Sequence, residues 1–286
     1  MDLSIIIVNY NCTRLTVNCL RSIYETARNI ELEVVVVDNG SFVGEDSFCI
    51  VREFPQVRLL RNLSNVGFAK ANNQGLAFCE GRYIMLLNPD TIILTDALEL
   101  LTAYMDGHPE ADIAGPKLLN EDFTFQPQCR RGFPRLVNSV AYYTGLSQIF
   151  RGSRLLSSYL LSYLPEDENL PVDAVSGSAL VVRRERIEAV GGLLDEAFFM
   201  HFEDIDLCYR VKQKGGQVWY VPGAEIVHLK GRSSFTREKG VRRDFLESAV
   251  TYFKKNYSPE NPAGCLVLIV GLKIIKWGMA KGGMLE

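Results

Sequence analysis

The apolar residues of the chain fall into short uninterrupted runs with polar stops, and the early runs alternate with segments of helical period. Leu3 to Val8 is such a run, closed by Asn9, Tyr10 and Asn11. Thr13 to Thr26 follows, with Leu15, Cys19, Leu20 and Ile23 spaced for one buried helical face. Leu32 to Val37 repeats the strand pattern and stops at Asp38-Asn39-Gly40-Ser41. Val57 to Leu60 is a third strand, and Asn65 to Phe78 a helix that begins through Gly67. Tyr83 to Leu87 is a fourth strand, ending at Asn88-Pro89-Asp90, and helix resumes from Asp96 to Met105. Apolar strands alternating with helices predict βαβ units, a mostly parallel sheet and helices on both faces. The polar stops then gather at the carboxyl edge of the sheet, where open α/β sheets bind ligands.

Beyond Leu118 the pattern weakens. Short helices are expected over Leu136 to Phe150 and Leu155 to Leu164, and Arg130, Arg131, Arg135, Arg151 and Arg154 read as a solvated face. Order returns with Val172 to Val182 around Gly177 and a helix from Arg184 to Val190. A segment from Asp195 to Lys214 turns helical around Leu207 and Val211. Gln217 to Val221 and Ala224 to Leu229 read as two strands separated by Pro222-Gly223, and Arg237 to Asn256 as a helix. Cys265 to Trp277 is apolar apart from Lys273 and Lys276, and shorter than the roughly 20 residues of a membrane span. With Lys254, Lys255 and Lys281 flanking it, residues 264–281 fit a helix lying in a membrane surface. The other reading is a helix packed on the domain or in a homodimer.

Composition narrows the class. The chain has 286 residues, 47% of them apolar and 23% charged, which excludes a disordered protein. A net charge of -3 gives no global attraction to nucleic acid. The seven cysteines are scattered without a Cys-x-x-Cys pair, as packing residues of a reducing compartment rather than a zinc or disulfide framework. Asp2 precedes the first strand and no secretory leader is visible, so the expected location is the cytoplasm or the cytosolic face of a membrane.

The chemistry is carried by acids at strand ends. No Gly-x-Gly-x-x-Gly, Gly-Lys-Ser/Thr or Gly-x-Ser-x-Gly motif supports a dinucleotide site, a phosphate loop or a nucleophilic serine. Asp38 is placed to accept hydrogen bonds from a base or a ribose, and Asp90 to hold a hard cation against phosphate. Asn65-Val66-Gly67 offers free backbone N–H groups at a helix start. Glu203-Asp204-Ile205-Asp206 crowds three carboxylates beside Phe198-Phe199, where one could act as a general base with a raised pKa. Each also has a structural reading: a turn at Asp38, a helix-start turn at Asn88-Pro89-Asp90, a helix cap at Glu203-Asp204, a strand histidine at His228.

Taken in order, Ser4 to Asn11, Val37 to Ser41, Asn65 to Gly75, Leu86 to Asp90, Gly177-Ser178-Ala179 and Phe198 to Leu207 resemble the family 2 glycosyltransferases of the GT-A fold. The resemblance runs from Leu3 to Ser234, and Asn88-Pro89-Asp90 is similar to its rhamnosyltransferase-like branch. It implies a GT-A domain over residues 1–236, with a nucleotide-sugar half (1–116) and an acceptor half (117–236). Residues 237–286 would then be a helical extension. It further implies that Asn9, Tyr10, Asn11, Asp38, Asn65, Gly67, Asn72 and Asn88 border the donor nucleotide. Asp90 and His228 would hold Mg²⁺ or Mn²⁺, Asp204 would be the base, and Glu203 and Asp206 would position the loop or acceptor. The implied reaction is inverting transfer from a nucleotide-sugar, dTDP-rhamnose first and a UDP-sugar second, to a saccharide or lipid-linked saccharide. Asn88 departs from the aspartate of many members and removes one charge from the metal site. A nucleotidyltransferase and a degenerate, membrane-attached binding subunit are the alternatives.

Overall fold

The structure is a computed structural model that describes residues 1–42, 46–229 and 238–281. Its spine is a nine-stranded mixed sheet in the order β3-β2-β1-β4-β10-β6-β11-β5, with β8 on the far side of β11. The first half is parallel: β1 (Leu3–Asn9), β2 (Leu32–Asn39), β3 (Arg58–Asn62) and β4 (Tyr83–Leu87). Helices α1 (Thr13–Thr26), α2 (Phe48–Glu53), α3 (Phe68–Leu76) and α4 (Ala97–Gly107) link and follow them. Every residue of β1 and β4 is buried, as covering on both faces requires. The helices cover them with one side each: Val17, Leu20 and Ile23 of α1 and Leu98, Leu101 and Met105 of α4 are buried.

The second half adds β5 (Thr91–Ile93), β6 (Ala111–Leu119), β8 (Leu170–Val172) and β10 (Ala179–Arg183). The long β11 (Gln217–His228) completes it. Strand β10 lies antiparallel between β4 and β6, whereas β6 and β11 are parallel. Residue 116, where the sequence divides the two halves, falls inside β6.

Three elements differ from the sequence expectation for identifiable reasons. Strand β6 carries Asp112, Gly115 and Pro116, all poor strand formers. Tertiary contacts override them: Asp112 pairs with Arg186 at 2.5 Å, and a Cβ on Gly115 would lie 2.5 Å from Val175 Cβ. Strand β11 is continuous rather than two strands, because Pro222-Gly223 is absorbed in a register shift between Val221 and Glu225 against β6. Residues 155–164 form turns rather than a helix. The Leu164 and Pro165 carbonyls accept from the buried Arg130 guanidinium, and Ser157 Oγ donates back to Phe150 O at 2.6 Å.

A two-stranded ribbon, β7 (Arg130–Arg131) with β9 (Ala174–Val175), and short helices α5 (Leu136–Tyr143) and α6 (Leu146–Ile149) occupy one end of the sheet. Helices α7 (Arg184–Ala189), α8 (Glu203–Gln213), α9 (Glu238–Tyr252) and α10 (Pro262–Lys281) complete the chain, α9 and α10 joined through a π-helical turn. Among the described residues no helix is long and apolar enough to cross a membrane.

The turn after β2 is the tightest on the carboxyl edge. Gly40 has φ +77°, and a Cβ there would lie 2.3 Å from the Ser64 carbonyl carbon. Gly40→Ala is therefore expected to lower stability by about 3 kcal/mol, read as a shift in the urea midpoint at unchanged m-value.

Candidate functional site

The carboxyl ends of β4 and β11, the Ser176-Gly177-Ser178 turn before β10 and the first turn of α8 converge on a cleft of about 310 Å³. Antiparallel pairing of β5 with β11 sets His228 opposite Thr91 and so beside Asp90, with His228 Nε2 3.4 Å from Asp90 Oδ1. Gln126 fixes how that imidazole is oriented. Its Nε2 donates to His228 O at 2.6 Å and to Leu119 O at 3.2 Å, so Oε1 is the atom 3.1 Å from His228 Nδ1. An oxygen at that place accepts an N–H from Nδ1, so Nε2 is the nitrogen turned toward Asp90, and in the neutral imidazole it is the one with the lone pair. Asn88 Nδ2 lies 3.5 Å from the same nitrogen and donates to Ser178 Oγ at 3.2 Å.

A carboxylate and an imidazole nitrogen facing one point, with room beside them, would fit a divalent cation. Among the described residues no group of three His, Cys, Asp or Glu side chains could hold the ion alone. The donor set is therefore of the kind that a diphosphate completes.

Across the cleft, α8 begins with Glu203, Asp204 and Asp206, all buried. Two residues in the left-handed region precede it, His201 (φ 72°) and Phe202 (φ 67°), a conformation costing about 1–3 kcal/mol each. The strained turn aims the first helical turn into the cleft. Asp204 Oδ2 accepts from Arg131 at 2.6 Å and from the Gly177 N–H at 2.8 Å, and Oδ1 from the Ile205 N–H at 2.8 Å. Burial alone would raise the pKa of this carboxyl, but the Arg131 charge and these N–H groups outweigh it and hold it below the usual range. Glu203 goes the other way. Burial first, then the adjacent Asp204 charge, pushes it up to about 8, and its Oε2 is buried without a hydrogen-bond partner. At neutral pH the pair is one carboxylate and one neutral acid. Asp206 faces away from the cleft, where Arg210, Lys255 and Asn256 hold it within 2.8 Å.

A second groove is continuous with this cleft through Phe68, Asn88 and Met200. Tyr10 and Asn65 line it. Asn9, Asn11 and Asp38 stand behind the wall. Asp38 is 1% exposed and accepts from Asn9 at 3.1 Å, Ser41 at 2.5 Å, Ser47 at 2.7 Å and Arg61 at 3.4 Å. Asn11, at φ 55°, accepts from the Phe42 N–H and donates its own N–H to Ser41. Two expectations need correction. Gly67 (φ +95°) does not border the groove: a Cβ there would meet Phe199 O at 2.9 Å, so the glycine seats the 199–203 turn. Asn72 is buried inside α3, with Nδ2 donating to Phe68 O, and lines neither groove.

The arginine-rich segment also divides. Arg130 and Arg131 are inside, whereas Arg135, Arg151 and Arg154 are exposed. Arg131, Gln126 and the cleft-lining Tyr159 and Phe245 have no signal in a single sequence beyond residue type. Each acts through a partner at least 70 residues away or through position alone.

A mixed α/β sheet that brings Asp90 and His228 at its carboxyl edge to face a clamped carboxylate across one cleft has the architecture of a GT-A glycosyltransferase. The chain belongs to glycosyl transferase family 2, whose model matches residues 4–155, and within it to the rhamnosyltransferase-like branch. It is 30% identical over 214 residues to the N-acetylglucosaminyl-diphospho-decaprenol L-rhamnosyltransferase of Mycobacterium tuberculosis, covering 71% of this chain and 68% of that one. It is 26% identical over 267 residues to the dTDP-rhamnosyl transferase RfbF of Shigella flexneri, covering 89% and 80%. The fold is similar to that of GalNAc-T7 solved with UDP, GalNAc and Mn²⁺, at a TM-score of 0.60 and 17% identity over 80% of this chain and 44% of that one.

The opposite shifts at Glu203 and Asp204 give a pH signature. Glu203 binds its proton more tightly folded (about 8) than at its ordinary value of 4.5. Its contribution to stability is complete below pH 4.5 and declines as pH rises to about 8. The melting-temperature advantage of Glu203→Gln over the wild type is expected to grow across that window and then level. Parallel profiles would show that Glu203 is ionised in the fold.

Proposed function

We propose that this glycosyltransferase is inverting and moves a sugar from a nucleotide-sugar donor to a lipid-linked saccharide in cell-surface polysaccharide assembly. The preferred donor is dTDP-rhamnose, and a UDP-sugar is second. The observation that carries the reading is the clamped Asp204 carboxylate facing the Asp90–His228 pair across one cleft. The names of the M. tuberculosis and S. flexneri relatives support the lipid-linked acceptor and the dTDP-rhamnose donor, respectively.

On this reading the donor lies along the Tyr10–Asn65 groove, with Asp38 and Asn9 stiffening the wall behind it. Asp90 and His228 Nε2 would hold Mg²⁺ or Mn²⁺, with Asn88 beside them, and the ion would supply charge stabilisation to the departing diphosphate. Asp204 is ionised at neutral pH because Arg131 and Gly177 occupy Oδ2. Its Oδ1, with a single backbone donor, has a lone pair left for an acceptor hydroxyl. It takes the hydroxyl proton as the oxygen attacks the anomeric carbon from the face opposite the diphosphate, and one displacement inverts that centre. Neutral Glu203 has a proton to donate to an acceptor oxygen, which orients the sugar without competing for the proton in transit.

Asp204→Asn is expected to lower kcat roughly 10²–10⁴-fold while leaving nucleotide affinity unchanged in calorimetry. Titration of the wild type with dTDP, UDP and GDP, each with and without Mn²⁺, tests the donor assignment. Tight metal-enhanced binding of dTDP is expected, and no binding of any of the three would point to a degenerate binding subunit. Gln126→Ala is a separate probe of the imidazole's orientation. Freed from Oε1, His228 no longer presents Nε2 to the site, and Mn²⁺ affinity measured by electron paramagnetic resonance should fall roughly 10–100-fold. An unchanged affinity would remove His228 as a ligand.

A further inference from the structure

Two stretches of the chain contain no acidic residue at all: Phe123 to Pro165 and Asn261 to Leu285, in a protein with 34 acids. They hold the helices whose outer sides are apolar and uncovered. On α5 and α6 and just beyond, Val140, Tyr143, Ile149, Phe150 and Leu155 are exposed, Ile149 to 74%. On α10, Cys265, Ile269 and Leu272 pack inward, whereas Leu266, Val267, Val270 and Ile274 face out, Ile274 at 62%. The two helices are in contact, and Leu136 N–H donates to Tyr257 OH at the turn preceding α10. Among the described side chains, the exposed cations in these stretches are Arg135, Arg151 and Arg154 on one side and Lys273 on the other, with Lys276 also reaching solvent. Glu247 and Glu260, on neighbouring elements, are matched by Lys276 at 2.7 Å and Arg135 at 3.8 Å.

We infer that α5, α6 and α10 together form one docking face for an anionic lipid surface. The inference rests on the lipid-linked acceptor of the proposed function and extends the membrane contact from residues 264–281 to the 136–155 segment. Charge selects this occupant over a second copy of the chain. An isologous dimer would set Arg151, Arg154 and Lys273 against their own equivalents with no carboxylate between them, whereas anionic headgroups supply the missing charge. Exposed aliphatic and aromatic side chains bordered by Arg and Lys are the pattern of an interfacial helix, not of a spanning one. The position relative to the cleft agrees. Tyr143, 55% exposed on this face, lies 6.4 Å ring to ring from Phe245, which lines the catalytic cleft and sits 5.6 Å from His201. A saccharide whose lipid stays in the bilayer thus has its head at the base while the face rests on the membrane.

Co-sedimentation of the full chain with phosphatidylglycerol/phosphatidylcholine vesicles, against pure phosphatidylcholine, tests this. Partition onto the anionic vesicles alone is expected. Arg151→Ala/Arg154→Ala should weaken it about 25-fold, roughly fivefold for each basic residue at the surface. Ile149→Glu/Ile274→Glu should abolish it, and neither variant should change turnover on a short, water-soluble acceptor. That second readout separates the face from the transfer reaction: loss of turnover in the wild type would sink the functional reading, not the docking. The docking is overturned if the wild type ignores anionic vesicles or binds pure phosphatidylcholine equally. It is equally overturned if the arginine variant partitions as the wild type does, or if the chain is a solution dimer that Ile149→Glu/Ile274→Glu splits.

Discussion

Three carboxylates in the first turn of one buried helix are the constraint on which the rest of the molecule depends. A carboxylate taken from water is costly unless it is paired, hydrogen-bonded or neutral, and α8 uses all three solutions within four residues. Asp204 is compensated by Arg131 and the Gly177 N–H, Asp206 by Arg210, Lys255 and Asn256, and Glu203 by keeping its proton. The helix dipole helps at the two ionised positions, Asp204 and Asp206, since both lie in the first turn. Each solution recruits a different part of the chain. Arg131 arrives through the β7–β9 ribbon, Gly177 through the turn before β10, and Asn256 through the π-helical turn after α9. The acid cluster thus dictates why the C-terminal helices dock where they do.

The two walls of the cleft are rigid for different reasons. On the β4–β11 side the geometry is set by backbone: strand pairing places His228 beside Asp90, and the Leu229 N–H donates to Asp90 O at 2.8 Å. Gln126 then removes the remaining freedom, the choice of ring nitrogen. On the α8 side the geometry is set by charge, and the strained His201-Phe202 turn persists because Gly67 lets Phe199 approach α3 and Phe68 N–H bonds to Phe199 O at 2.7 Å. A substitution at Gly67 would therefore reach the base through backbone, although the glycine itself touches neither groove.

What a single sequence discloses follows from this division. The parallel half was legible because its strands are buried on both faces and their runs are uninterrupted, and its polar stops mark the carboxyl edge directly. That Asp90, His228, Glu203 and Asp204 meet in one cleft follows from their places at strand and helix ends. Strand β6 was not legible, since Asp112, Gly115 and Pro116 are tolerated only because Arg186, Val175 and the β11 register shift accept them. Nor was Arg131, because a buried arginine and its carboxylate 73 residues later carry no local pattern. Asn72 and Gly67 were misplaced for a related reason: spacing along a helix start shows that residues are near a site, not which way they face.

The middle segment shows how one stretch serves two solvents. Arg130 and Arg131 are adjacent in sequence, yet both turn inward, one to backbone carbonyls and the Tyr220 ring 4.7 Å away, the other to Asp204. A few residues on, Arg151 and Arg154 turn outward beside Ile149 and Phe150. An acid anywhere in this stretch would compete with Asp204 for Arg131 on the inner side or repel anionic headgroups on the outer side. The absence of acids from Phe123 to Pro165 therefore suits both the Asp204–Arg131 pair and the proposed docking face. It also explains why the segment looked featureless by periodicity: its pattern is one of charge, read across two surfaces rather than along one helix.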